Sequence, residues 1–149
     1  MKTEGAYKIE LIFKKGAGLQ LAKNKVPEVE EKIEQKLYDM LVVANENAGY
    51  NGRDVIWYSD MPLTKAMKES MQKFKELEEA LELKPILDRL AIHPPLGRDM
   101  EVELENKLPE IVGTLIYILA NVAKEFSTDD KTVSEDELKR AMRILDLTI

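Results

Sequence analysis

Residues Lys36–Met67 read KLYDMLVVANENAGYNGRDVIWYSDMPLTKAM. Leu37, Met40, Leu41, Ala44 and Ala48 recur every three or four positions, the spacing of one buried stripe on a helix. Gly49 and Gly52 mark its end, and Val55–Tyr58 is a short β-branched and aromatic piece that reads as extended. Asp60 then has the character of an N-cap, with Pro62 in the first turn of a third helix carrying Leu63, Met67, Met71, Phe74 and Leu77 inward. Upstream, Pro27 suits the start of the long helix, predicted from Pro27 to Ala48 with Val29 and Ile33 on the same stripe. Before it, Tyr7–Lys15 reads as a short helix with Ile9, Ile12 and Phe13 on one face, stopped by Gly16 and Gly18.

The order repeats downstream. Pro85 opens a short helix with Ile86, Leu87 and Leu90, and His93–Gly97 is a loop. Asp99 reads as the cap of a second long helix reaching Phe126, interrupted by Pro109. After a loop from Thr128 to Val133, Ser134 and Glu137 have capping-box spacing ahead of Leu138, Ala141, Met142 and Leu145. The chain is therefore expected to be all-α, with residues 1–82 and 83–149 as two halves of one compact unit. The two long helices are expected to meet through Ile33, Leu37, Leu41, Leu115 and Leu119. The halves share little identity, so the repeat lies in element order and length.

A short–long–short helical triplet with an extended piece before the third helix resembles a histone fold. Gly52, Arg53, Ile56 and Asp60 resemble the archaeal-histone pattern, in which the arginine and aspartate pair and pin the loop to the last helix. Lys131–Asp136 resembles the same loop, but it is one residue short. Asp130 stands before the lysine, and no arginine occupies the matching place. Lys36–Met67 and Ala80–Leu96 (ALELKPILDRLAIHPPL) resemble a small bacterial family of histone-fold doublets, mostly from thermophiles and of unknown function. The match includes the non-periodic residues Asn51, Gly52, Arg53, Asp54, His93 and Pro94. The resemblance implies two histone folds in tandem, forming an intramolecular handshake pseudo-dimer, and it implies no activity. With both long helices in one chain, the partner of each is always present.

Composition narrows the function. The 149 residues contain no cysteine, which excludes disulfides, thiolate zinc sites and a cysteine nucleophile. No signal peptide is evident at the start, and the apolar stretch Ile111–Ala123 is too short to cross a bilayer, so a cytoplasmic protein without membrane partners is expected. A charged content of 34% suits a thermophile. The single histidine, His93, has no cluster around it for metal or acid–base chemistry. Glu28, Glu30, Glu31 and Glu34 fit the positive end of a helix dipole on a solvated face. With no phosphate loop and no nucleophile–base set, the chain reads as no enzyme, with no cofactor and no metal.

Two readings remain. One is a structural or protein-interaction module that binds another protein or itself, as a monomer or low-order homo-oligomer. The other is weak, sequence-independent DNA binding. Net charge is −6, so a DNA surface needs its cations gathered. Lys8–Lys25 holds five lysines against Glu10 alone. The histone-fold resemblance implies a DNA-facing surface made of Lys14, Lys15, Lys23 and Lys25, with Arg53 and Lys131 at the edge. The candidate clamp and cap are Arg53 and Asp60.

Overall fold

A computed structural model of the chain describes residues 2–77, 81–128 and 131–149, with residues 2–7 as backbone alone. The elements are α1 (Lys2–Ala17), α2 (Val26–Tyr50), β1 (Val55–Ile56), α3 (Lys65–Glu76), α4 (Leu83–Leu90), β2 (Asp99–Met100), α5 (Val102–Phe126) and α6 (Glu135–Thr148). The protein is all-α apart from two dipeptide strands. The predicted order is present twice, and both long helices have 25 residues.

Several boundaries differ from the sequence reading. α2 runs through Gly49 to Tyr50, and the chain leaves the helix at Gly52, whose φ of +71° is open to glycine at little steric cost. Asp60 does not cap α3. Met61, which precedes Pro62, is held extended, so the helix starts only at Lys65, and the Thr64 hydroxyl accepts from the Met67 N–H at 3.1 Å. Asp60 instead closes the 3₁₀ turn Tyr58–Asp60. Asp99 is likewise not a cap. It lies in β2, and α5 begins after Glu101 without a side-chain cap. The Ser134–Glu137 capping box forms reciprocally.

The two halves interlock. β1 pairs in parallel with β2, Val55 opposite Asp99 and Ile56 opposite Met100. At the other loop pair, Gln20 bridges Thr132 in parallel: its N–H donates to the Lys131 carbonyl, and its carbonyl accepts from the Val133 N–H at 3.0 Å. Each half's second loop is thus bonded to the other half's first loop. The helices also exchange partners, because α1 and α3 of the first half pack on α5 of the second. Ile33, Leu37, Leu41, Leu115 and Leu119 are all buried, in one hydrophobic cluster that draws on both halves.

Two devices fix the loops after the long helices. In the first half, Arg53 Nη1 and Nη2 donate to the Asp60 carboxylate at 2.5 and 2.8 Å, and that carboxylate also accepts from the Trp57 N–H at 2.7 Å. The Arg53 bonds, helped by the Trp57 N–H, hold the buried Asp60 carboxyl below its ordinary pKa. In the second half no arginine does this among the described residues. Glu137 accepts instead from the Ser134 and Thr128 N–H groups, at 3.0 and 3.2 Å, and these bonds lower its pKa too. Asp130, which stands where the resemblance would place an arginine, lies outside the described residues.

Close packing of α3 on α5 depends on Gly113, where an added Cβ would overlap the Phe74 ring. Gly113→Ala is expected to destabilise the fold by about 1 to 3 kcal/mol, with partial recovery when Phe74→Leu is added. An unshifted urea midpoint for Gly113→Ala would contradict this packing. Asp60→Ala should cost about 1 to 2 kcal/mol at neutral pH through the lost turn and charge-assisted bonds. Because folding depresses the Asp60 and Glu137 pKa values, their contribution is complete above the unfolded value and is lost as pH falls through the folded one. Unfolding midpoints of the parent should therefore fall below about pH 4, and Asp60→Ala should show a shallower decline. Equal acid slopes for parent and variant would show that the clamp carries no such linkage.

Candidate functional site

The structure sorts the candidate residues between two loop pairs. Lys14 is exposed near the end of α1, whose chain reverses at Gly18 (φ +70°). Lys15 follows it, also exposed. Lys23 and Lys25 form the 3₁₀ turn that leads into α2. The Gln20–Thr132 bridge brings Lys131 beside this turn. Lys124, which the sequence reading passes over, joins the group, its Nζ lying 3.8 Å from where a Cβ on Gly18 would stand. Helical spacing alone could not place Lys124, because its neighbour belongs to the other half.

Arg53 is not part of this cluster, contrary to the expectation that it stands at its edge. It lies in the β1 loop, which pairs with the second half's first loop. Its guanidinium is engaged with Asp60 and lies 3.9 Å over the Trp57 ring. Arg98 stands beside it. Arg98 Nε donates to the Arg53 carbonyl at 2.9 Å and Nη1 to Asn45 at 3.3 Å, with the guanidinium close over Gly49. This arginine ties the second half to the end of α2, and no local motif announces it.

α4 is fastened to α2 by a polar network. Arg89 pairs with Glu30 at 3.1 Å and Glu34 at 3.0 Å, while His93 Nε2 lies 2.8 Å from the other Glu34 oxygen. The His93 ring stacks on Tyr38, with centroids 4.5 Å apart, and the Tyr38 hydroxyl donates to the Pro94 carbonyl. Glu30 and Glu34 are thus helix-docking groups and not a purely solvated face. His93 thus takes part in the contact between α2 and the loop that follows α4. At the far side of α2, Asp146 of α6 accepts from Lys32 at 2.7 Å and pairs with the buried Lys36 at 3.1 Å.

Beneath α4 lies an open cavity of about 800 Å³ with an aliphatic floor that includes Ile33, Leu37, Ile86, Leu90, Val112 and Ile116. Its rim holds Glu30, Glu34 and Arg89, joined through the arginine. Among the described residues no group of three histidines, cysteines or acids could hold a metal ion, and no helix is long and apolar enough to cross a membrane.

The chain is similar over nearly its whole length to proteins of two thermophilic genera. A crystal structure of a protein from Thermus thermophilus superimposes with a TM-score of 0.94 at 40% identity, covering 97% of each chain. A second, from Aquifex aeolicus, shares the fold, with a TM-score of 0.79 at 22% identity over 96% of this chain and 94% of that one. An uncharacterized protein of Aquifex aeolicus (strain VF5) is 32% identical over 148 residues, spanning 91% of this chain and 86% of the relative. Residues 9–146 match one family model, and the chain belongs to that family, the domain of unknown function DUF1931.

Proposed function

We propose that the protein is a non-catalytic, cytoplasmic histone-fold doublet that serves as a structural or protein-interaction module. The carrying observation is the crossed loop pairing: each half's second loop is bonded in parallel to the other half's first loop. Repeated helix order, equal long helices and the Arg53–Asp60 clamp support the same reading. Polar groups that resemble catalytic candidates in the sequence are engaged in holding helices together: His93 and Glu34 dock α4, and Glu137 fixes a loop.

A second reading is favoured by the Gln20–Thr132 bridge, which sets Lys131 beside Lys23 and Lys25. On this reading the lysine end holds a duplex backbone weakly and without regard to sequence. Lysine–phosphate contacts release counterions but read no bases, and the acidic remainder of the chain repels the same phosphates.

Affinity capture from native extract after nuclease treatment tests the interaction reading. A protein partner or a second copy should persist, and loss of every captured protein on nuclease treatment would overturn it. Duplex titration tests the DNA reading. Binding should be micromolar at best, and the Lys14, Lys15, Lys23 and Lys25 to Gln variant should lose it while keeping its helicity. Four phosphate contacts should give the parent a log–log salt slope of about −3 to −4. No binding by the parent at about 20 mM salt, where screening is weak, would end the DNA reading.

A further inference from the structure

The two loop pairs carry opposite charge. Residues 14–25 and 127–134 contain five lysines and two acids, a surplus of three positive charges. Residues 51–60 and 91–103 contain two arginines and five carboxylates, a surplus of three negative charges. Both arginines are engaged, Arg53 by Asp60 and Arg98 by backbone carbonyls and Asn45. At this acidic end Trp57, Tyr58, Ser59, Glu101 and Glu103 line a shallow cavity of about 320 Å³. Trp57 is 44% exposed, and neither Glu101 nor Glu103 has an ion pair among the described residues. Burial first, and then Glu110 and Glu103, hold the Tyr58 phenol above its ordinary pKa. Both rings already attract cations, Arg53 over Trp57 and Lys107 at 5.6 Å from the Tyr58 centroid.

We propose that this cavity receives a lysine side chain from the basic end of a second copy, so that chains associate head to tail. An indole, a phenol and two carboxylates, of which Glu101 is already attracted to Arg53, around one small space are the chemistry that recognises an ammonium ion. The basic end supplies matching donors: Lys23, Lys25 and Lys131 have no ion pair among the described residues, and Lys23 and Lys131 are exposed. The lysines of a chain's basic end cannot reach its own cavity. The basic turn precedes α2 and the acidic loop follows it, and 25 residues at 1.5 Å each hold the two about 36 Å apart. Donor and acceptor surfaces differ, so the contact is heterologous and extends from copy to copy. This inference rests on the interaction-module reading and names the partner.

Sedimentation velocity of the full chain, without nucleic acid, tests it. At about 20 mM salt the weight-average sedimentation coefficient should rise with concentration, and at about 0.5 M salt it should return to the monomer value. Glu101→Gln with Glu103→Gln should abolish association, as should Lys23→Gln with Lys25→Gln, each variant keeping parental helicity and thermal midpoint. Mixed in equal amounts, the two variants should form a dimer and nothing larger, because one retains a sound basic end and the other a sound acidic end. Trp57→Ala should weaken parental association about tenfold or more, given a cation–aromatic contact that is worth that much when desolvated. A parent that stays monomeric at low salt, or variants that still associate alone, or a mixture that stays monomeric, would overturn the proposal. A monomeric parent that still captures another protein from extract would overturn it too, while leaving the interaction-module reading standing.

Discussion

Every other α-helix of the protein packs on α5. That helix buries residues around most of its circumference, from Leu104 through Ile111, Leu115, Ile116 and Leu119 to Ala123. A helix this apolar cannot face water on any broad side and needs neighbours all round. Its own half supplies only α4 and α6. The rest must come from α1, α2 and α3, so the first half cannot be removed without exposing the core of the second. Crossed loop pairing follows from the same constraint, because a helix that crosses to the far half carries its flanking loops with it.

Close approach to α5 sets local demands. Gly113 lets the Phe74 ring reach the helix backbone, and Gly16 brings α1 against Tyr117. Thr114, fully buried, returns its hydroxyl to the Glu110 carbonyl at 2.7 Å, which satisfies a polar group where no water reaches. Pro109 costs one helical hydrogen bond in a helix otherwise held by packing on all sides. These residues look like helix breakers or misfits in isolation. Packing on α5 accounts for Gly113 and Gly16, and Thr114 is satisfied within its own turn.

Legibility of the sequence follows the range of each interaction. The stripe Val29–Ile33–Leu37–Leu41 and its counterpart on α5 are periodic, so the long helices are readable and their burial follows. The Arg53–Asp60 pair and the Ser134–Glu137 box are separated by seven and three positions, and spacing exposes both. Long-range events leave no such trace. Asp99 carries the marks of a cap, but pairing with Val55 draws it into a strand. Asp60 also carries them, yet Pro62 delays the helix and gives the aspartate to an earlier turn. Arg98, Arg89 and His93 act on residues 45 to 59 positions away, so no pattern in their own neighbourhood predicts the contact. Arg53 and the lysines are grouped by the histone-fold resemblance and by no spacing of their own. The register separates them, since each loop pair takes one loop from each half.

That separation governs what the charge can do. A net charge of −6 conceals a lysine-bearing loop pair and a carboxylate-bearing one at opposite ends of α2. On the histone-fold reading both loop pairs occupy equivalent positions, yet only one presents exposed lysines. At the other, the arginines are consumed by Asp60 and by main-chain carbonyls, contacts that fix loop geometry and leave little positive potential outside. On the DNA reading, only one end of such a surface offers cations to phosphates. With a screening length of about 8 Å at physiological salt, the cations at one end cannot offset carboxylates a helix length away. The same folding plan is therefore compatible with two unlike surfaces, because the core on α5 fixes where the loops lie and places no demand on the sign of the charges they carry.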